Sequence, residues 1–331
     1  MKITFFSTKP YDKHFFDTCN KNYGFELEYY ETHLGPHIVH AVYESTAVCA
    51  FVNDKLTAEV LEVLAAKGVK TIALRCAGYN NVDLDAAKKL GLNVCRVPAY
   101  SPDAVAEFAL SLMLTLNRKT HKAYNRVREQ NFSLDGLLGF NMKGKTVGII
   151  GTGKIGYSLC KIMLGMGCNV LAYDLYKNTE LESLGVQYLS LAEVIKESDI
   201  LSLHCPLTDD TFHLINKETI ATMKPGIMII NTGRGALIDT KAAIEGLKTK
   251  KIGYLGLDVY EQEDKLFFRD LSTQIITDDD IQRLMSFPNV LVTAHQAFFT
   301  NEALETIADV TLSSINSLTK ESALRDASVL L

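Results

Sequence analysis

The sequence predicts an α/β protein built as two doubly wound parallel sheets. Three observations carry this expectation. Short apolar runs alternate with helical patterns along most of the 331 residues, the mark of repeated βαβ units. The alternation occurs twice, before about residue 95 and again after about residue 145. Between the two lies a breaker cluster, Pro98-Ala99-Tyr100-Ser101-Pro102-Asp103. At roughly 150 residues per domain, the length accommodates two.

In chain order, the first half predicts strands at 3–6, 47–52 and 71–74, with a helix over 57–67. At the junction, Ser101 suits a helix N-cap and Pro102 the first helical position. One long helix is expected from Pro102 to about residue 129. Its first half is apolar nearly all round (Val105, Phe108, Leu112, Met113, Leu116), so it must be covered on more than one side, as a core helix or as a subunit interface. The second half predicts strands at 146–150, 169–173, 200–203, 227–230 and 252–257, and a short one beginning near Val290. Helices are expected over 155–166, 191–195 and 241–247, and Thr277–Asp280 reads as a helix N-cap.

Composition excludes several classes of function. Hydrophobic residues are 47% and charged residues 22%, an ordinary globular mixture. Lys and Arg number 34 against 39 Asp and Glu, a net charge of −5 with no electrostatic footprint for nucleic acid. No apolar run approaches the roughly 18 residues of a membrane span, and Met1–Ser7 reads as a strand rather than a leader peptide. Cysteines at 19, 49, 76, 95, 160, 168 and 205 are scattered and contain no C-x-x-C, which argues against disulfides or a metal site and for a cytoplasmic location.

Residues 146–150 lead directly into Gly151-Thr152-Gly153-Lys154-Ile155-Gly156 and then a helical stretch. This is G-x-G-x-x-G in its strand–turn–helix setting, the fingerprint of a Rossmann dinucleotide domain. Gly151 allows the tight turn, Gly153 lets a pyrophosphate approach the backbone, and Gly156 lets helix and strand pack closely. Asp174 ends the following strand, where a carboxylate meets a ribose 2′-hydroxyl and repels a 2′-phosphate. NAD is therefore the expected cofactor, rather than NADP.

Three later segments each follow a predicted strand and so reach the sheet edge where ligands bind. Asn231-Thr232-Gly233-Arg234-Gly235 presents an arginine whose planar fork suits a carboxylate. Gly256-Leu257-Asp258-Val259-Tyr260-Glu261-Gln262-Glu263 supplies carboxylates, and Thr293-Ala294-His295 supplies a histidine. Arginine, carboxylate and histidine suffice to reduce a 2-oxo acid: arginine binds and polarises, histidine donates the proton, and the carboxylate orients the histidine.

These four segments, in this order and spacing, resemble the D-isomer-specific 2-hydroxyacid dehydrogenase family along nearly the whole chain. The ending His295-Gln296-Ala297-Phe298 resembles its lactate branch. The resemblance implies a Rossmann nucleotide domain, 100–297, inserted into a flavodoxin-like substrate domain of 1–99 plus 298–331, with the active site in the cleft between them. It implies Arg234, Glu263 and His295 as the catalytic set. Cofactor contacts are implied at Gly151, Gly153, Lys154, Ile155, Gly156, Asp174, Cys205, Pro206, Thr232, Gly233 and Asp258. The substrate carboxylate is implied on the Ala77-Gly78 turn, and Phe51, Tyr100 and Phe298 around the substrate side chain. The activity implied is reduction of pyruvate to D-lactate and its reverse. The alternatives are a longer or branched 2-oxo acid, or an NAD-sensing corepressor. No metal is expected. Partners are a small 2-oxo or 2-hydroxy acid and a second copy of the chain, as dimer or tetramer through the 102–129 helix. The remaining histidines, Glu261, Phe267, Phe268 and Phe299 read as structural.

Overall fold

Four-residue apolar runs are too short for helices, and they become strands wherever the alternation marks them. The computed structural model describes residues 1–319 and 328–331. The chain divides into two compact units, Met1–Ser101 with Phe298–Leu331, and Pro102–Ala297.

The first unit holds a parallel sheet of β1 (Lys2–Phe5), β2 (Glu26–Tyr29), β3 (Ala47–Ala50), β4 (Thr71–Leu74) and β5 (Asn93–Arg96), in the flavodoxin-like order β2-β1-β3-β4-β5. β3 and β4 are buried at every position, as a sheet covered on both faces requires. β2 (Glu-Leu-Glu-Tyr) and β5 (Asn-Val-Cys-Arg) carry polar residues among the apolar ones, which hid them from a search for apolar runs. The last described segment covers the edge of β5. Val329 bridges Cys95 in antiparallel sense, and the Arg96 amide donates to the Ser328 carbonyl at 2.7 Å.

The second unit is a seven-stranded parallel sheet: β6 (Thr146–Ile150), β7 (Asn169–Tyr173), β8 (Gln187–Tyr188), β9 (Ile200–Leu203), β10 (Ile227–Asn231), β11 (Ile252–Leu257) and β12 (Val290–Val292). The order β12-β11-β10-β9-β6-β7-β8 reverses direction between β9 and β6, and a crevice opens at such a switch point. Alternate strand residues feed two cores. Val147, Ile149, Met228 and Ile230 meet the helices Pro102–Arg118 and Lys154–Gly165. Ile150, Leu201, Ile229 and Leu255 meet the helices Leu191–Glu197, Thr240–Lys248 and Asp279–Ser286.

The single helix expected over 102–129 is two helices, Pro102–Arg118 and Thr120–Arg128, broken at Lys119, whose φ is +50°. The sequence holds no Gly or Pro between Asp103 and Asp135, so no local stop signal exists. Tertiary bonds make the break. Buried Asn117 pairs with both backbone groups of Phe140, each at 2.8 Å, and Lys119 Nζ donates to the Leu138 carbonyl at 2.7 Å. The apolar first half is a core helix of its own unit, and the Thr120–Arg128 helix buries no residue. Exposed apolar surface lies further along instead, at Tyr124, Val127, Phe132, Leu134 and Leu138.

Candidate active site

The dinucleotide turn is built by glycines at positions where nothing larger fits. Gly151 has φ +91°, and a Cβ on it would lie 2.5 Å from the Cys205 amide nitrogen. A Cβ on Gly156 would lie 1.9 Å from the Gly151 carbonyl oxygen, so the helix start packs directly on the turn. A Cβ on Gly153 would meet nothing within 4 Å, which leaves the outer side of the turn open. Gly153 caps the helix Lys154–Gly165, whose free N–H groups and dipole face that opening. Asp174 is held against the turn, accepting from the Thr152 amide at 2.6 Å and the Tyr176 amide at 3.0 Å. Tyr188 supports the arrangement by donating to Thr152 Oγ1 at 2.8 Å.

Cys205 and Pro206 follow β9 beside this turn. Burial pushes the Cys205 thiol up to about 11, and burial pushes His204 down to about 4. Both are neutral in the working range, so this wall of the crevice adds no charge. The buried hydroxyl of Thr232 has no hydrogen-bond partner among the described residues. An open glycine turn, a helix N-terminus, a carboxylate at the strand end and an orphaned hydroxyl together fit a dinucleotide.

The next strand end carries Arg234. Fully buried Asn231 shapes its loop: Oδ1 accepts from the Gly233 amide at 3.0 Å, and Nδ2 donates to the Arg234 carbonyl at 2.9 Å. The Arg234 guanidinium is half-buried and donates from Nη1 to the Gly233 carbonyl at 2.8 Å. A Cβ on Gly235 would lie 2.1 Å from the Tyr260 carbonyl carbon, so the arginine loop rests on the segment that carries Glu263.

Glu263 and His295 meet. Glu263 Oε1 lies 2.7 Å from His295 Nδ1, and Glu263 Oε2 accepts from the Tyr260 amide at 2.9 Å. A carboxylate can only accept, so Nδ1 carries the proton of this bond. His295 has φ +54°, outside the region most residues adopt. Asp258 holds it there. Its wholly buried carboxylate accepts from Thr293 Oγ1 at 2.6 Å and from the Gln296 and Ala297 amides at 2.9 Å, while its carbonyl takes the His295 amide at 2.7 Å. The geometry makes Asp258 a clamp on the histidine loop. Glu261 is committed elsewhere, to His213 Nε2 at 2.7 Å and Thr240 at 2.9 Å. The Phe268 ring, also at positive φ (+62°), lies 5.9 Å from the imidazole.

In the first unit, Tyr100 and Phe51 flank buried Phe298, at 6.2 and 6.4 Å between ring centroids. The Ala77-Gly78 turn is braced by Arg96, which donates to the Ala77 carbonyl at 2.7 Å, and by the Cys76 thiol on the Gly78 carbonyl at 3.3 Å.

The family model described as "D-isomer specific 2-hydroxyacid dehydrogenase, NAD binding domain" matches residues 110–297. The chain belongs to the D-isomer-specific 2-hydroxyacid dehydrogenase family. Among curated members of that family it is 56% identical to a 2-hydroxyacid dehydrogenase homolog of Haemophilus influenzae, over 96% of each chain. It is 53% identical to the D-lactate dehydrogenase of Escherichia coli, over 97% of each chain. The crystal structure of the Aquifex aeolicus D-lactate dehydrogenase with NAD and lactic acid superposes with a TM-score of 0.87 at 35% identity, over 99% of this chain and 98% of that one.

As a member of this dehydrogenase family the chain uses NAD, and that makes Asp174 testable. Asp174→Ser tests the expectation that this carboxylate meets the ribose 2′-hydroxyl. The NADH-to-NADPH ratio of kcat/KM is expected to fall roughly tenfold or more, the scale of a lost hydrogen bond to a charged group. An unchanged ratio would place Asp174 away from the ribose. The sequence places Asn231 in the arginine segment and Asp258 among the carboxylates without revealing that each side chain holds a loop in place. The signal for Asn231 was the Asn-x-Gly spacing of a side chain bonding its own backbone two residues on.

Proposed function

We propose that this chain is an NAD-dependent D-lactate dehydrogenase that interconverts pyruvate and D-lactate, with His295 as acid and base. The carrying observation is the 2.7 Å pair of Glu263 Oε1 and His295 Nδ1 at the end of the nucleotide-binding unit. Bound NADH supplies the hydride. The chain's own residues do the rest. Arg234 grips the substrate carboxylate and polarises the carbonyl, and the backbone N–H groups of Ala77 and Gly78 share that carboxylate. His295 Nε2–H donates to the carbonyl oxygen on reduction and takes the alcohol proton on oxidation. The first unit is thus read as the substrate domain, and Phe51, Tyr100 and Phe298 limit the side chain to a methyl group. Lys154, Ile155, Pro206 and Gly233 line the cofactor side with the glycines, Cys205 and Thr232.

The test is Glu263→Gln, which keeps shape and a hydrogen bond but removes the charge that attracts the imidazolium proton. kcat/KM for pyruvate reduction and for lactate oxidation is expected to fall about tenfold, the scale of a charge-assisted hydrogen bond made neutral, while NADH affinity stays parental. Unchanged kcat/KM in both directions would sink the pairing.

The seven cysteines are free thiols, which suits a reducing cytoplasm. Self-association, expected through the 102–129 segment, is read onto its exposed residues Tyr124 and Val127 and onto Phe132 (72% exposed), Leu134 (81%) and Leu138 (88%) just beyond it. Replacing the two leucines by aspartate is expected to lower the sedimentation coefficient to that of a single chain.

A further inference from the structure

The first unit contains a buried charged cluster that the reaction does not use. Arg75, at the end of β4, is 2% exposed. Its Nε donates to Asp12 at 3.2 Å, Nη1 to the Phe6 carbonyl at 2.9 Å and Nη2 to the Ser7 carbonyl at 2.8 Å. All three bonds lie in the guanidinium plane, so the plane is fixed. Its face carries the Phe51 ring, with Cζ 4.7 Å from the ring centroid. Wholly buried Asp54 holds the backbone of the same residue. Its Oδ2 accepts from the Phe51 amide at 2.6 Å, and Oδ1 accepts from the Leu34 amide at 2.7 Å and Ser7 Oγ at 2.6 Å. Asn81 Nδ2 completes the grip by donating to the Phe51 and Asp54 carbonyls, both at 2.9 Å. Phe51 is thereby fixed at its amide, its carbonyl and its ring. Ser7, at φ +56°, links the two arms by giving its carbonyl to Arg75 and its hydroxyl to Asp54.

Core volume alone does not require this cluster. Apolar residues of similar size fill such space at no loss of stability, and often at a gain, because buried charges carry a desolvation penalty. A guanidinium stacked on a ring gives what an aliphatic side chain cannot, a flat seat with one orientation. We propose that Arg75 and Asp54 are specificity-determining positioning residues that set the tilt of Phe51, and so the length of substrate side chain admitted. This rests on the reading of Phe51 as a wall of the substrate pocket.

The experiment compares kcat/KM for pyruvate and for 2-oxoisocaproate in Asp54→Asn, Arg75→Lys and Asn81→Ala, each made in the parent and in the Phe51→Ala background. Asp54→Asn turns a donor toward the Phe51 amide, Arg75→Lys removes the flat seat, and Asn81→Ala tests the same loop without touching a buried charge. In the parent background, the pyruvate preference is expected to fall about tenfold in Asp54→Asn and Arg75→Lys, within the range one pocket contact controls. A smaller fall is expected in Asn81→Ala, and KM for NADH should be unchanged. In the Phe51→Ala background, the same substitutions are expected to leave the preference where Phe51→Ala alone put it. Equal shifts in both backgrounds would overturn the proposal, as would an unchanged preference in every variant that folds. Asn81→Ala decides the matter if the two charge variants do not fold. If Phe51→Ala itself leaves the preference unchanged, the pocket reading fails. If Phe51→Ala shifts the preference and the network variants do not, only the positioning inference fails.

Discussion

Replacing His295 with glutamine is expected to lower kcat/KM for both pyruvate reduction and lactate oxidation by about 10²- to 10⁴-fold, at every pH. The structure pairs the imidazole with Glu263 through Nδ1, and the carboxylates nearest to it are already committed elsewhere. Asp258 keeps its own carboxylate on Thr293 and the Gln296 and Ala297 amides. Glu261 keeps its carboxylate on His213 and Thr240. Glutamine can still take the 2.7 Å position opposite Glu263, so the loop should persist and NADH should bind with parental affinity. Measuring both directions separates chemistry from folding. A loss confined to one direction would show that His295 does not serve as both acid and base.

Arg234→Lys comes second in size. Lysine preserves the charge and replaces a planar fork with a point donor. A hydrogen bond to a charged group contributes roughly 1.5–3 kcal/mol, so KM for pyruvate is expected to rise about 10- to 100-fold. Asn231 holds the arginine loop through backbone groups alone, and these bonds survive the change. NADH affinity by fluorescence titration should therefore be nearly intact. A parallel collapse of NADH binding would assign the arginine to the cofactor or to the fold.

The parts of the fold visible in the sequence are those that one local pattern determines. β3, β4, β6 and β9 are mostly apolar runs that are buried almost throughout, and the glycine turn is set by steric limits that only glycine meets. β2, β5 and β8 were hidden because polar residues interrupt them. The break at Lys119 was hidden because Phe140, twenty-three positions beyond Asn117, creates it. In the site, Arg234, Glu263 and His295 stood out as chemistry at strand ends. The network of Arg75, Asp12 and Asp54 did not. Its members are 12, 54 and 75, each unremarkable in local context, and only the sheet brings them together.

The first unit is discontinuous: Met1–Ser101 is completed by Phe298–Leu331, with all of the other unit intervening. During synthesis the nucleotide-binding unit is contiguous and can fold as soon as Ala297 has emerged. The first unit cannot, because helix Asn301–Thr319 and the segment that covers β5 are made only after the other unit. Until then β5 is a bare strand edge and part of the core beneath that helix is open to solvent, the condition under which nascent chains pair wrongly. Truncation just before Phe298 should therefore yield a chain whose nucleotide unit still binds NADH while its first unit is captured by chaperones.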